Sequence, residues 1–317
     1  MKRRDFVKSG AIVGATAVGI SPVFAAPLGS HALVGASAFT AKADAGEHFQ
    51  LNYAPHLGMF AEHAGKDPID QLNFMADEGF TAFEDNGMRT RPVEVQEAMA
   101  ATMARRGIQM GVFVAHEIYW DKPNLTSGDL SLREEFLGFI RESVEVAKRV
   151  NATWATVVPG HVDLRLDIGY QTAHLVESLK RACDILEPHG VVMVLEPLNP
   201  RDHPGQFLVK IAQAFEICKA VDSPSCKILF DLYHQQISEG NLIPNINAAW
   251  DEIAYFQIGD NPGRKEPTTG EVNFGNVFKH IHSKGYTGIL GMEHGNSKPG
   301  RDGERAVIDA YRSVDTF

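Results

Sequence analysis

The chain has 317 residues, of which 44% are hydrophobic and 22% charged, and its formal net charge is −10. This composition is typical of a soluble globular protein, and it excludes collagen-like, coiled-coil and extensively disordered chains. The acidic balance also argues against a nucleic-acid backbone as a partner.

The first 25 residues have the layout of an export signal. A basic start precedes a short Ala-, Gly- and Val-rich stretch that ends in small residues near Ala25. Arg3-Arg4 resembles the twin-arginine type, which predicts a periplasmic or otherwise exported protein. A membrane anchor is the alternative, but the short, Gly-rich apolar run predicts no stable membrane span in the mature form. Residues 26–47 are predicted to be a linker.

From residue 49 onward, short β-prone runs alternate with longer amphipathic runs. Eight strands are predicted, at residues 49–54, 80–85, 108–115, 153–159, 191–197, 226–231, 253–259 and 287–293. Four of the intervening helices are predicted near residues 67–79, 91–107, 131–150 and 171–190, with Asp67 as the N-cap of the first.

This alternation predicts an α/β protein with a parallel sheet. Eight repeats in residues 48–317 favour a single closed (β/α)8 TIM barrel, with its active site at the C-terminal ends of the strands. An open doubly wound sheet is the alternative, but it would require a Gly-rich phosphate loop after the first strand. The segment NYAPHLGMF does not supply one.

The chain has three cysteines, Cys183, Cys218 and Cys226. Their odd number and spacing match no zinc motif, so we interpret them as core thiols.

Oxygen-bearing side chains lie at or near the ends of four successive predicted strands. They are Glu196, Asp231, Gln257 and Glu293. Three carboxylates at one barrel mouth would repel each other unless a cation lay between them. The all-oxygen set predicts a divalent metal, with Mg²⁺ or Mn²⁺ preferred. His234 lies three residues after Asp231, which indicates a role in the same site.

Four segments resemble the hydroxypyruvate isomerase family of the xylose isomerase-like barrels. The segments are VLEPLNPRDHPG, ILFDLYHQQISEGN, YFQIGDNPGRKEPTTGEVNF and YTGILGMEH. The resemblance implies that Glu196, Asp231, Gln257 and Glu293 bind the metal, with Glu196 and Glu293 as the acid/base pair. It also implies that His234, Arg264 and Asp202 bind the substrate.

The first half of the chain departs from the family. The loop after the third predicted strand is HEIYWDKPNLTSGDL, where the family tends to carry an Asn-Leu-Pro-Ala-Gly-Asp-like sequence. We expect His116, Glu117, Tyr119 and Trp120 to line the substrate side of the mouth instead. The ending EHGNSKPG also differs from the family's Glu-Tyr-Lys-Pro-like ending, so both loops leave the substrate open.

The expected activity is metal-dependent proton transfer of the aldose–ketose type on a small hydroxy-carbonyl substrate. For hydroxypyruvate the product would be tartronate semialdehyde. The alternatives are a sugar epimerase, a lyase or hydrolase acting on keto-sugars or oxidised glycosides, and a sugar-binding barrel without turnover. A homo-oligomer is compatible with the sequence, which does not determine the oligomeric state.

Overall fold

The computed structural model describes residues 48–317. The predicted export signal at 1–25 and linker at 26–47 lie outside this range. Among the described residues, no helix combines the length and the apolar character needed to cross a bilayer.

Within the described range, the strands are short and all eight predicted strand positions contain one. The strands are β1 (Asn52–Ala54), β2 (Ala82–Phe83), β3 (Gln109–Met110), β4 (Phe113–Val114), β5 (Trp154–Val157), β6 (Val192–Leu195), β7 (Cys226–Asp231), β8 (Ile253–Gln257) and β9 (Ile289–Gly291). The third predicted strand is divided into β3 and β4, because its first part pairs with β2 and its second part with β5.

The helices follow the strands around the outside of the sheet. They are α1 (Ala61–Ala64), α2 (Pro68–Asp77), α3 (Val93–Arg106), α4 (Leu130–Val150), α5 (Ile168–Leu186), α6 (Ile211–Val221), α7 (Leu232–Ser238), α8 (Leu242–Ala249), α9 (Phe274–Ser283) and α10 (Gly300–Val314). The four predicted helices correspond to α2, α3, α4 and α5.

Local sequence signals explain where these helices begin. Asp67 caps α2 as predicted, because its Oδ1 accepts the backbone N–H of Ile69 at 2.7 Å. Asp129 caps α4 in the same way, through the N–H of Ser131 at 2.7 Å. Each cap satisfies a backbone donor that the first turn of the helix leaves free.

The strands form a parallel, curled sheet in the order β1-β9-β8-β7-β6-β5-β4, with β2 paired to β3. Since β3 and β4 are consecutive parts of one strand, the pairing continues to β2. The N–H of Glu84, just after β2, then donates to the carbonyl of Pro55, just after β1, at 3.1 Å. The fold is the predicted (β/α)8 TIM barrel.

Two apolar layers lie on opposite faces of this sheet. A small inner cluster takes one residue from each of seven strand positions, namely Ala54, Ala82, Val112, Val194, Leu229, Tyr255 and Ile289. The neighbouring residues along the strands, such as Met193 and Leu195, belong to the larger cluster beneath the helices. This alternation fills the barrel interior with side chains, so polar groups collect at its mouth. The three cysteines are buried free thiols, as predicted.

Gly291 provides the closest approach inside the barrel. A Cβ atom at this position would overlap the carboxyl group of Glu84. Tyr255 donates a hydrogen bond to that carboxyl group at 3.0 Å, so the group cannot easily move aside. Only glycine therefore allows β9 to pass beside Glu84.

We expect Gly291→Ala to lower the free energy of unfolding by about 1–3 kcal/mol, as overpacking of a filled core does. Urea denaturation followed by circular dichroism measures this. Gly138→Ala is the matched control. Gly138 lies in the middle of α4, and a Cβ atom added there would have no atom of the described residues within 4 Å. That change should stabilise the protein by about 0.5–1 kcal/mol. A Gly291 variant as stable as the wild type would contradict the packing described for Glu84.

Candidate active site

Four ionisable side chains meet at the C-terminal mouth of the barrel. We call Glu196, Asp231, His234 and Glu293 the mouth cluster. One ligand atom from each lies within 4.8 Å of those from the other three. Glu196 follows β6, Asp231 ends β7, His234 lies in the first turn of α7, and Glu293 follows β9. Parallel strands therefore bring together residues that are up to 97 positions apart in the sequence.

Burial raises the pKa values of two of these acids. Burial is the largest cause of the raised pKa of Glu196, and the charges of Glu293 and Asp231 add to it. Burial also raises the pKa of Asp231. The mouth therefore favours any group that brings positive charge.

Arg264 provides one such charge and points into the mouth. Its Nη2 lies 2.5 Å from Oε2 of Glu293 and 3.5 Å from Oδ2 of Asp231. Its guanidinium carbon also lies 4.9 Å from the centre of the Tyr233 ring. On the other side, Asn86 donates to Oε1 of Glu293 at 2.9 Å. Glu293 is therefore held from both sides.

The loop after β8 directs Arg264 into the mouth. Asp260 is buried and accepts the backbone N–H groups of Gly270 and Val272 at 2.8 and 3.1 Å. Its carbonyl accepts the N–H of Arg264 at 2.8 Å, while its own N–H donates to Lys265. Arg264 has a φ of 49°, which is unusual for a residue with a side chain. The hydrogen bonds of Asp260 stabilise this turn.

Gln257 lies at the end of β8 beside a carboxyl group that the sequence analysis did not identify. Its Nε2 lies 3.4 and 3.5 Å from the two carboxyl oxygens of Glu84. Glu84 is fully buried, and burial followed by the charge of Glu293 raises its pKa. Alternation in strand β2 was the available signal, because Glu84 lies two residues after the inward-facing Ala82.

Two buried oxygens in the mouth have no hydrogen-bond partner among the described residues. They are Oε1 of Gln257 and Oδ2 of Asp231. Buried acceptors are normally satisfied, so each indicates a missing donor or cation. With Glu196 and Glu293 beside them, they form an oxygen-rich set that suits a hard divalent cation. The residues present therefore fit a metal ion.

His234 enters the mouth from α7 with one nitrogen already engaged. Asn199 lies close to its Nδ1, and its Nε2 lies 3.6 Å from Asp231 and 3.7 Å from Glu196. Burial and the charge of Arg264 lower the pKa of His234 to about 3. The ring is therefore neutral at physiological pH.

The other predicted substrate residues surround the mouth in different environments. Asp202 accepts hydrogen bonds from Asn199 at 3.1 Å and Tyr233 at 2.8 Å, which lower its pKa. Trp120 is 48% exposed, and its ring stacks on His203 at 5.0 Å. His203 in turn lies 5.4 Å from the ring of His234. Trp120 and His203 thus form an aromatic side to the mouth, of which the sequence analysis had identified only Trp120.

His116 differs from the other predicted substrate residues, because both of its ring nitrogens face the backbone. Nδ1 lies 2.7 Å from the carbonyl of Glu117, and Nε2 accepts the N–H of Val158 at 3.2 Å. Burial lowers the pKa of this histidine to about 4. With both nitrogens used, His116 supports the loop between β4 and α4, and its polar atoms are not free for a substrate.

Removal of Arg264 tests the electrostatics of the mouth. Raised carboxyl pKa values mean that the folded state binds protons more readily than the unfolded state, so stability falls as pH rises from about 4 toward neutrality. Arg264 lowers the pKa values of Glu196 and Asp231. We therefore expect Arg264→Gln to destabilise the metal-free protein by about 1–3 kcal/mol at pH 7 and by less at pH 5.

Urea denaturation in chelator-treated buffer at the two pH values measures this effect. Arg165→Gln is the control, since Arg165 is 93% exposed and lies 3.6 Å from Asp163. It removes the same charge and should have almost no effect. Equal destabilisation by Arg264→Gln at pH 5 and pH 7 would show that Arg264 acts by packing alone.

Comparison with known proteins agrees with this architecture. The family model described as xylose isomerase-like TIM barrel matches residues 72–314. Hydroxypyruvate isomerase of Escherichia coli is 32% identical over 181 residues, which cover 56% of this chain and 69% of that protein. The 2-oxo-tetronate isomerase of Cupriavidus necator is 31% identical over 245 residues, covering 76% and 92% of the two chains.

Among solved structures, the apo form of the 3-keto-D-glucoside 4-epimerase of E. coli superposes with a TM-score of 0.69. The match covers 84% of this chain and 100% of that one, at 19% sequence identity. This likeness supports the fold alone. The family match and the two isomerase relatives carry the assignment: the chain belongs to the xylose isomerase-like TIM barrel family and is an isomerase of the hydroxypyruvate isomerase type.

Proposed function

We propose that this protein is a metal-dependent isomerase that moves a proton between neighbouring carbons of a small hydroxy keto acid. Hydroxypyruvate and 2-oxo-tetronate are the first substrates to test, because the relatives named for them are about a third identical to this chain. One observation carries the proposal. Glu196 follows β6 and Glu293 follows β9, the two strands that flank β7 and β8 in the sheet. A carboxyl oxygen of one residue lies within 4.8 Å of a carboxyl oxygen of the other.

The two glutamates suit proton transfer next to a carbonyl group. One carboxylate takes the proton from carbon, and the other returns a proton to the neighbouring carbon. Arg264 and His234 lie beside them and offer N–H donors for substrate oxygens. A guanidinium group pairs well with a carboxylate, so Arg264 suits the acid group of a keto acid. On binding the substrate carboxylate, Arg264 would give up its contact with Glu293.

A divalent ion is the proposed cofactor, with Mg²⁺ or Mn²⁺ preferred. Glu196, Asp231, Gln257 and Glu293 would hold it, and two of these residues have buried oxygens that find no hydrogen-bond partner within the described part of the chain. When bound, the ion supplies positive charge against the negative charge that develops on the substrate oxygens. Tyr233 and Asp202, hydrogen-bonded to each other, would form the adjacent polar side of the pocket.

A sugar epimerase is the second candidate. The exposed ring of Trp120, fixed against His203, is the observation that favours it, since a flat aromatic surface suits the apolar face of a sugar. The same pair of glutamates would then return the proton to the opposite face of one carbon. Product analysis separates the two reactions.

Incubation with hydroxypyruvate, 2-oxo-tetronate and a set of keto-sugars, followed by NMR of the products, tests the proposal. Migration of the carbonyl group to the neighbouring carbon supports the isomerase, whereas inversion at one carbon supports the epimerase. If no compound in the set is converted in the presence of Mg²⁺ or Mn²⁺, the proposed function is wrong.

We expect Glu293→Gln to lower kcat by roughly 10²–10⁴-fold, because the amide cannot transfer the proton. Glu271→Gln is the matched control, since Glu271 is exposed and its carboxyl group contacts Gln236 at 3.3 Å. It should retain wild-type turnover. A fully active Glu293→Gln variant would exclude Glu293 from the chemistry.

Removal of metal should abolish activity, and Mg²⁺ or Mn²⁺ should restore it. The ion should also raise the melting temperature of the chelated protein, since a ligand that binds only the folded state stabilises it. Thermal denaturation with and without the ion measures this without reference to turnover. The Asp231→Asn variant should lose most of the increase, because it removes one charged ligand. A chelated protein with full activity and an unchanged melting temperature would remove the metal from the mechanism.

A further inference from the structure

Asn199 is a buried residue in the loop after β6, three positions beyond Glu196, with 0% exposure. Its side-chain orientation is determined by the backbone. Oδ1 accepts the N–H groups of Arg201 at 3.0 Å and Asp202 at 2.9 Å. An amide oxygen with two such donors cannot exchange places with the amide nitrogen.

The Nδ2 group of Asn199 therefore points in the other direction, toward His234. It lies 2.7 Å from Nδ1 of that histidine and 3.1 Å from Oδ2 of Asp202. The backbone N–H of Asn199 also lies 3.3 Å from the same Nδ1. Two donors thus converge on one ring nitrogen, which must accept.

A neutral imidazole that accepts at Nδ1 carries its proton on Nε2. This nitrogen faces Oδ2 of Asp231 and Oε1 of Glu196, at 3.6 and 3.7 Å. Both oxygens are acceptors, so the arrangement suits an N–H at Nε2.

One contact favours the opposite tautomer. Nη2 of Arg264 lies 3.4 Å from Nε2 of His234, where a donor would prefer a lone pair. This distance is 0.7 Å longer than the distance between Nδ2 of Asn199 and Nδ1 of His234. Nη2 also has a closer partner in Glu293, at 2.5 Å. The contacts at Nδ1 therefore determine the tautomer.

From these contacts we infer that Asn199 is a positioning residue that fixes His234 as a hydrogen-bond donor to the mouth. His234 then has no free lone pair at Nε2, so it is not a metal ligand, although it lies within ligand distance of the three acids. Its N–H is available for a substrate oxygen that becomes negative during the reaction. This last step rests on the proposed function.

Asn199→Asp tests the inference with little change in shape. The new carboxylate keeps the oxygen that accepts from Arg201 and Asp202, but it replaces the donor beside Nδ1 with an acceptor. His234 should then carry a proton on Nδ1. Long-range ¹H–¹⁵N NMR of the full-length protein labelled at histidine distinguishes the tautomers, and a His234→Asn sample assigns the signal among 13 histidines.

The wild-type protein should show His234 protonated at Nε2, and Asn199→Asp should show protonation at Nδ1. Asn199→Ala is the second variant, and it should give a mixture because only the backbone donor remains. In the Asp variant, kcat should fall by about 10²-fold, as for loss of one donor to a developing oxyanion. KM should change much less.

Asn247→Asp is the matched control, because Asn247 contacts another histidine, the half-buried His280, at 3.0 Å outside the mouth. It should leave kcat and the His234 signal unchanged. Wild-type His234 protonated at Nδ1, or an Nε2 proton retained in both Asn199 variants, would overturn the inference. A changed tautomer with unchanged kcat would overturn its functional part. If no substrate is ever turned over while the tautomer changes as expected, the proposed function fails and the role of Asn199 stands.

Discussion

Repulsion among buried carboxyl groups is the constraint on which the mouth of this barrel depends. Glu84, Glu196, Asp231 and Glu293 converge there, and burial, followed by the charges of the neighbouring acids, raises the pKa values of Glu84 and Glu196. Such a group is stable only with positive charge nearby. Arg264 supplies one positive charge. On Asp231 and Gln257, oxygens that no residue in the range 48–317 satisfies leave room for another cation.

Glu84 and Asn199 determine which polar atoms of Gln257 and His234 face the mouth. Glu84 lies beside the amide nitrogen of Gln257, and the amide oxygen of Gln257 has no hydrogen-bond partner among residues 48–317, so this oxygen is left for another donor or a cation. Asn199 lies beside Nδ1 of His234, so Nε2 of His234 faces Asp231 and Glu196 in the mouth. One side chain thus offers an acceptor and the other a donor. Since an amide and an imidazole each have two different polar ends, this orientation decides what each can bind.

Much of the site could be predicted because a parallel barrel brings the ends of its strands together. Glu196, Asp231, Gln257 and Glu293 each follow an apolar run, and the fold places such residues at one mouth. Glu84 lies one position before the end of the second predicted strand, and the terminal Asp85 pairs with Arg91, so the residue at the strand end is not the one that faces the mouth. The contact of His116 with the backbone of Val158 could not be predicted, since the two residues are 42 positions apart in the sequence. The orientation of Asn199 depends instead on the local turn that brings the N–H groups of Arg201 and Asp202 to its Oδ1, a backbone geometry that the residue types alone do not specify.

Hydrogen exchange between the substrate and the solvent tests the central claim most directly, namely that the glutamates at this mouth move a proton at carbon. The purified protein, supplied with Mg²⁺ or Mn²⁺, is incubated in D₂O with hydroxypyruvate or 2-oxo-tetronate. The account predicts that deuterium appears at the carbon next to the carbonyl group, as detected by NMR and mass spectrometry of the recovered substrate and product. Conversion to product with complete retention of the original hydrogen would contradict it.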